Sequence, residues 1–236
     1  MSWNGTTVAT EFCSGDGTQA NPYIISTDAE LALLPQRVND GENFAGVYFE
    51  LAKNISLNGK TFTTIRSKNN KFEGIFDGNG CVISNFKIST SESYAGLFGY
   101  VWGTIQNLGV QGTVLVSGTS ANAYVGMIAG YNTGIIQNCF ATGTVTLSSS
   151  NTTHAGGLVG YSKSGAISGS YATGDVKAQG TSSDYSRNGG LVGFLNSDAT
   201  VVNCYRSELQ LLTRYTTAGA SYCDFPIHRR FGIHEL

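Results

Sequence analysis

Side chains able to do covalent or metal chemistry are sparse in this 236-residue chain. Fourteen Lys and Arg stand against sixteen Asp and Glu, a formal net charge of −2. That balance gives no electrostatic pull toward nucleic acid or an anionic membrane surface. The five cysteines, Cys13, Cys81, Cys139, Cys204 and Cys223, are widely and irregularly spaced and form no CxxC pair. With only three histidines beside them, they argue against a zinc site and against a disulfide framework, and most of them read as small packed apolar groups. His154 stands in a polar loop-like stretch, and His228 and His234 lie close together near the C-terminal end with no third ligand in sight. "FDGNG" (76–80) and "GDGTQANP" (15–22) contain the oxygen donors calcium favours, but a calcium roll repeats its acid on every turn, so both read as tight turns. "AGGLVGY" (155–161) has the glycines of a phosphate-cradling loop. Glycoside hydrolysis would need two carboxylates about 5 to 9 Å apart. The acids of the central region are Glu73, Asp77, Glu92, Asp175, Asp184 and Asp198. Whether any two meet depends on the elements that hold them.

Those elements are visible through repetition. "AGGLVGY" returns as "NGGLVGF" (188–194) and, more weakly, as "YAGLFGY" (94–100) and "VGMIAGY" (125–131). The closing aromatics Tyr100, Tyr131, Tyr161 and Phe194 recur at a nearly even spacing of roughly 30 residues, a repeat period in the solenoid range. A second phrase follows each: "GTIQNLGVQGTV" (103–114), "GIIQNCFATGTV" (134–145), "GAISGSYATGDV" (165–176) and "TVVNCYRSEL" (200–209). Ile105, Ile136, Ile167 and Val201 share one column; Leu108, Cys139, Ser170 and Cys204 a second; Gly112, Gly143 and Gly174 a third. Upstream, "FEGIFDGNGCVISNFKI" (72–88) matches 94–110 at a constant offset of 22, which places Phe76 with Phe98 and Ile83 with Ile105.

Short apolar–polar alternations joined by Gly, Asn and Ser turns are strands. So short a unit, without helical pattern, cannot close a core alone, and stacking on its neighbours buries it. Leucine-rich repeats would need LxxLxLxxN, and propeller blades about 40 residues. The fold class expected is all-β, a parallel β-helix in which each copy adds one rung about 4.8 Å above the last. The abundant glycine, 31 residues against 3 prolines, is expected at the coil corners, where positive φ or close packing demands it. An aliphatic column (Ile75, Leu97, Ile128, Leu158, Leu191) fills the core. Its neighbour (Phe76, Phe98, Ala129, Val159, Val192) is apolar too, although strict alternation would turn it outward unless the phrase bends.

The ends differ. "STDAELALLPQRVNDG" (26–41) predicts a helix with a Thr27–Glu30 capping box, a Leu31, Leu34, Val38 stripe and Gly41 as terminator, with Pro35 as a point of kinking. Segments 46–57 and 60–65 alternate as strands. The division expected is an N-terminal cap over 1–45, a parallel β-helix over 46–208 and an atypical tail or cap over 209–236. No apolar run approaches the ~20 residues that span a bilayer. "MSWNGTTVATEF" shows neither the basic nor the apolar region of a secretion signal.

The GGLVGY-type phrase followed by "QNCFATGTV" resembles the GLUG motif of bacterial surface proteins. The leader "NPYIISTDAELALL" with "VYFELAKNISL" resembles the usual entry into such arrays, so the likeness covers roughly residues 15 to 205. The resemblance implies a right-handed, pectin-lyase-like β-helix on an extracellular protein. It implies a cell-surface or secreted location, and brings no catalytic residue with it.

On this frame Asp77 falls in line with Gly99, Gly130, Gly160 and Gly193, and Asp175 with Thr113 and Thr144, so no acidic pair is expected. No catalytic, metal or cofactor site is nominated. Two aromatic columns remain: Tyr100, Tyr131, Tyr161 and Phe194, and Phe140, Tyr171 and Tyr205. The first is the candidate binding set, a row of rings for sugar or protein contact, with mutual stacking over the corners as the plainer role. The expected function is a non-enzymatic surface module, adhesin-like or a structural stalk. Its partners would be host glycans, host proteins or other surface components, with neither nucleic acid nor membrane insertion. The alternative is a carbohydrate-active β-helix enzyme of polysaccharide lyase or glycoside hydrolase type.

Overall fold

A computed structural model of the chain describes residues 3–65, 71–119, 121–180 and 186–206. One turn shows the construction. Ala123–Val125 runs into a bend, then Ala129–Asn132, Ile135–Gln137 and Phe140–Ser149 follow, with only short corners between them. The next turn repeats the order as Thr153–Gly156, Val159–Ser162, Ala166–Ser168 and Tyr171–Gly180, and each strand pairs in parallel with its predecessor. Four parallel sheets result. Sheet 1 has seven strands, from Tyr23–Ile25 to Thr200–Val202, and sheet 2 has six, from Ile55–Ser56 to Tyr205–Arg206. Sheet 3 (Tyr94–Ala95 to Arg187–Gly189) and sheet 4 (Phe98–Val101 to Val192–Leu195) have four each. The chain is a parallel β-solenoid of about five turns.

Period-two alternation aims one column per sheet into the core. In sheet 1 the inward column is Phe49, Phe76, Ile105, Ile136, Ile167 and Val201, and the turns between these residues lengthen toward the C-terminal end. All but Val201 are buried. In sheet 4 it is Phe98, Ala129, Val159 and Val192. Leu97, Ile128 and Leu158 precede these and are equally buried, because the chain bends between sheets 3 and 4 and turns both columns inward. The core is thus filled by phenylalanine in the early turns and by smaller aliphatics later.

Three expectations need correction upstream. Phe76 lies over Ile105, not in the Phe98 column; the two phenylalanine rings do touch across the core, 5.5 Å apart, from different sheets. Ile75 pairs with Tyr48 and Thr104 in sheet 1, and so leaves the column of Leu97. Segment 60–65 forms isolated bridges at Thr61 and Ile65 instead of a strand.

The glycines of the repeated phrase do not take positive φ. The left-handed corners between sheets 1 and 2 are held instead by Asn107, Asn138, Gly169 and Asn203, with φ between 52° and 57°. Asparagine tolerates this region better than other side chains because its amide bonds locally. Gly130, Gly160 and Gly193 serve close approach. A Cβ at Gly160 would overlap the Val125 backbone nitrogen, and one at Gly193 would lie 2.7 Å from the Ala155 nitrogen. Sheets 3 and 4 therefore pack backbone against backbone, a spacing that only hydrogen side chains permit.

At the N-terminal end the helix Asp28–Asn39 lies between the first two strands of sheet 1. Its capping box is present: the Glu30 backbone N–H donates to Thr27 Oγ1 at 3.2 Å and the Thr27 N–H to Glu30 Oε2 at 2.9 Å. Leu31, Leu34 and Val38 are fully buried, Pro35 sits within one unbroken helix, and Gly41 follows it with φ +118°.

Overpacking a filled core costs about 1–3 kcal/mol, and rigid backbone cannot move aside as a side chain can. Gly160→Val is therefore expected to destabilise the chain by about 3 kcal/mol or more, read as a lowered midpoint in urea. An unchanged midpoint would refute the close-approach reading.

Candidate functional site

The repeated phrase also builds an aromatic surface. Tyr100, Tyr131, Tyr161 and Phe194 are directly in register on the outer side of sheet 4. Their ring centroids are 4.6, 4.9 and 5.2 Å apart from rung to rung. The sequence did not single out a second column beside them on sheet 3, formed by Tyr94, Tyr124 and His154 and continued by Arg187. Because the glycines press sheets 3 and 4 together, the two columns meet: Tyr124 lies 5.5 Å from Tyr131, and His154 5.6 Å from Tyr161. Seven rings form one continuous, half-buried outer surface along the axis. Each ring pair contributes about 0.5–1.5 kcal/mol beyond its burial.

Several of these rings lie nearly parallel to their neighbours, 7° for Tyr161 and Phe194 and 21° for His154 and Tyr161. In such pairs the faces cover one another, whereas Tyr131 meets Tyr100 and Tyr161 with its ring tilted by 52°. Burial raises the Tyr100, Tyr131 and Tyr161 hydroxyls above the ordinary tyrosine value, most strongly at Tyr131, where the surrounding tyrosines add to it. All three remain neutral hydrogen-bonding groups across the physiological range. At the first-rung end, Lys71 Nζ lies 5.7 Å from the Tyr100 ring and 3.2 Å from that of the exposed Trp102. Positive charge thus flanks the surface at Lys71 and again at Arg187.

His154 is not the solvated loop residue its sequence neighbourhood suggests. It occupies strand Thr153–Gly156 and stacks on Tyr161 and Phe194, its Nδ1 buried without a hydrogen-bond partner. Burial, reinforced by Arg187, pushes its pKa down to about 4. The ring is therefore a neutral member of the aromatic surface. The second predicted column, Phe140, Tyr171 and Tyr205, also stacks, with 5.3 and 4.9 Å between centroids. It stands apart from the first, at the start of sheet 2.

The acids are arranged differently from expectation. Asp77 stacks between Glu50 and Gln106 in sheet 1, so an acidic pair does occupy neighbouring rungs. Its carboxylate ends two amide chains. Gln137 Nε2 donates to Gln106 Oε1 at 2.9 Å, and Gln106 Nε2 to Asp77 Oδ2 at 2.6 Å. In parallel, Asn138 Nδ2 donates to Asn107 Oδ1 at 3.3 Å, and Asn107 Nδ2 to Asp77 Oδ1 at 3.0 Å. Glu50 Oε1 accepts from Asn79 Nδ2 at 3.0 Å. Both carboxylates serve as structural acceptors. Asp175 stacks on Thr144, as expected.

Of the described cysteines, Cys139 is buried, Cys81 and Cys204 are half-buried and Cys13 is exposed, so only one fits the packed reading fully. Cys139 and Cys204 each donate to the carbonyl two residues earlier, at 3.2 and 3.3 Å, as Ser170 does at 2.8 Å. Burial pushes the Cys139 thiol up to about 12. Among the described residues no group of three or more His, Cys, Asp or Glu could hold a metal. Cys223, His228 and His234, and Asp184, lie outside the described residues.

A solenoid whose turns share corner asparagines, close-packing glycines and stacked aromatics is a β-helix repeat protein. The family model "The GLUG motif" matches residues 121–146 and 151–177, each covering most of one turn from sheet 3 into sheet 2. Over 115 residues, 47% of the chain, the sequence is 35% identical to a protein of Evansella cellulosilytica named "Putative Gly-rich membrane protein"; the match spans 13% of that relative's length. The fold is similar to the crystal structure of a "putative immunoglobulin A1 protease" from Bacteroides ovatus. That likeness has a TM-score of 0.60 and 23% identity and covers 84% of this chain and 78% of the other. At that identity it speaks for the fold.

The folded His154 binds its proton below its unfolded value of about 6.5, so the unfolded chain holds more protons between pH 4 and 6.5. Its contribution is complete above pH 6.5 and is lost as pH falls toward 4. With a discount for partial exposure, the loss is about 1–2 kcal/mol. Urea melts across this window should show that slope reduced in His154→Phe, which keeps the stack; equal slopes would refute the assignment.

Proposed function

We propose that the chain is a non-enzymatic segment of a surface or secreted protein, both a stiff spacer and a contact surface. The observation that carries this reading is the outward aromatic surface. The core closes without it, yet it continues over four rungs. A parallel solenoid holds such a surface straight and at fixed spacing, as an adhesin-like module or stalk requires. The name of the Evansella relative, a membrane protein, supports a surface setting, and its much greater length suits a module within a longer protein. Among the described residues no helix is long and apolar enough to cross a membrane.

One observation favours the alternative, a carbohydrate-active enzyme: Glu50 and Asp77 stack on adjacent rungs, as two hydrolytic carboxylates could. Their oxygens are engaged by Asn79, Gln106 and Asn107, which favours the structural role.

Two measurements test the reading. In intact cells producing the natural protein, an antibody against this segment should label without permeabilisation; labelling only after lysis would overturn the surface role. Incubated with a panel of plant and animal polysaccharides, the chain should release no reducing ends above a blank. Release abolished by Asp77→Asn would instead establish the enzyme.

A further inference from the structure

We infer that the aromatic surface of sheets 3 and 4 pairs with the same surface on a second copy of this chain, as a two-fold dimer with antiparallel solenoid axes. This rests on the contact-surface reading above and names the partner.

The first argument is a third column. The alternation that turns Tyr100, Tyr131 and Tyr161 outward also turns out Trp102, Thr133 and Lys163, two residues on. Their backbone N–H groups donate to Phe72, Val101 and Asn132, each one turn back and each at 2.9 Å, so the three are in register. Lys71 begins the ring column one rung before Tyr100, because its neighbour Phe72 is bridged to Val101. The face is thus three columns wide and five rungs long. Neighbouring rings touch, so it offers no slots and meets a partner face to face.

The second argument is self-complementarity. A two-fold axis laid across the turn of Tyr124, Tyr131 and Thr133 reverses the rungs and keeps each column against itself. Tyr100 then meets Tyr161 of the second copy, and Lys71 meets Phe194. Lys163 meets Trp102, which is 52% exposed and has Lys71 Nζ on one face of its ring, leaving the other face for the incoming cation. Glu73 follows Phe72 on the first rung and meets Asn196, which holds the same place on the fifth. The exposed Asp198, whose charge is felt at the Tyr161 hydroxyl, comes toward Lys71. Each end of the pair therefore gathers two lysines and two carboxylates around Trp102, a cluster without net charge. A two-fold along the solenoid axis would instead set sheet 4 against sheet 3 and carry Trp102 and Lys163 past the tyrosines. Arg187 is bonded to the Ser186 carbonyl at 3.0 Å and takes no part. Five rungs make a face only about 24 Å long, so the pairing is weak and reversible.

The test follows the purified chain by sedimentation from about 10 µM to about 1 mM. A monomer–dimer equilibrium should appear, with a dissociation constant on the order of 100 µM. Lys163→Glu should weaken it about tenfold, whereas Lys163→Arg, which keeps the cation, should stay within about twofold. Orientation is read by disulfide trapping in a background of Cys13→Ser and Cys223→Ser. Thr133→Cys, on the axis, should cross-link to itself, and Trp102→Cys should cross-link only when mixed with Lys163→Cys. Unchanged melting curves would show that each variant is folded. A monomer at every concentration, indifference to Lys163→Glu, or self-trapping of Trp102→Cys would overturn the inference. A monomeric chain that labels on intact cells would defeat this inference and leave the surface role. A dimeric chain labelled only after lysis would defeat the surface role and leave this contact.

Discussion

Among the described residues, the strands of the repeated turns find their hydrogen-bond partners in the turn above or below, not within their own turn. Short segments present backbone N–H and C=O groups that only the turn above or below can satisfy. Unpaired, each such group would cost more than most side-chain contacts return. The rest of the structure follows from that dependence. Residues 140–149 pair one for one with 171–180, so a side chain's neighbours along the axis are its own counterparts in other turns. Turns differ in length by several residues, and the difference is taken up in the connections between strands, which lengthen from Asn132–Ile135 to Ser162–Ala166 to Leu195–Thr200.

This one-for-one stacking explains what the sequence could and could not disclose. From Tyr94 onward the turns share so many column residues that register could be read directly: Ile105 over Ile136 over Ile167, Tyr100 over Tyr131 over Tyr161. The same repeat carries Tyr124 onto His154, and would have moved that histidine from a loop into a strand. The first full turn misled for a physical reason. "ISN" and "IQN" each lead into a left-handed asparagine, Asn85 with φ 51° and Asn107 with φ 52°. The two bends are alike locally but differ in place: Asn85 lies inside the sheet 2 strand Val82–Thr90, where the register shifts, whereas Asn107 turns the chain from sheet 1 to sheet 2. Likeness of a local bend mimics identity of rung, and this hid Glu50 as the neighbour of Asp77.

The glycines show the same division between local and nonlocal causes. Their number pointed to corners, but whether a glycine serves φ or contact depends on what lies across from it. Gly169 takes the left-handed corner that asparagine fills in other turns, whereas Gly160 lies against the Val125 backbone, more than a full turn away along the chain. Only the second kind brings two ring columns together. The aromatic surface is in that sense a product of the missing Cβ atoms beneath it.

The direction of the hydrogen bonds has a mechanical consequence. In every sheet they run along the solenoid axis, so a pull on the two ends loads them one after another instead of all at once in shear. Under tension the coil should yield by peeling one turn at a time, each releasing about thirty residues of chain. The amide chains from Gln137 and Asn138 to Asp77 cross two such boundaries and tie three adjacent turns together. A coil built this way should extend in discrete steps and re-form on the template of the turn that remains.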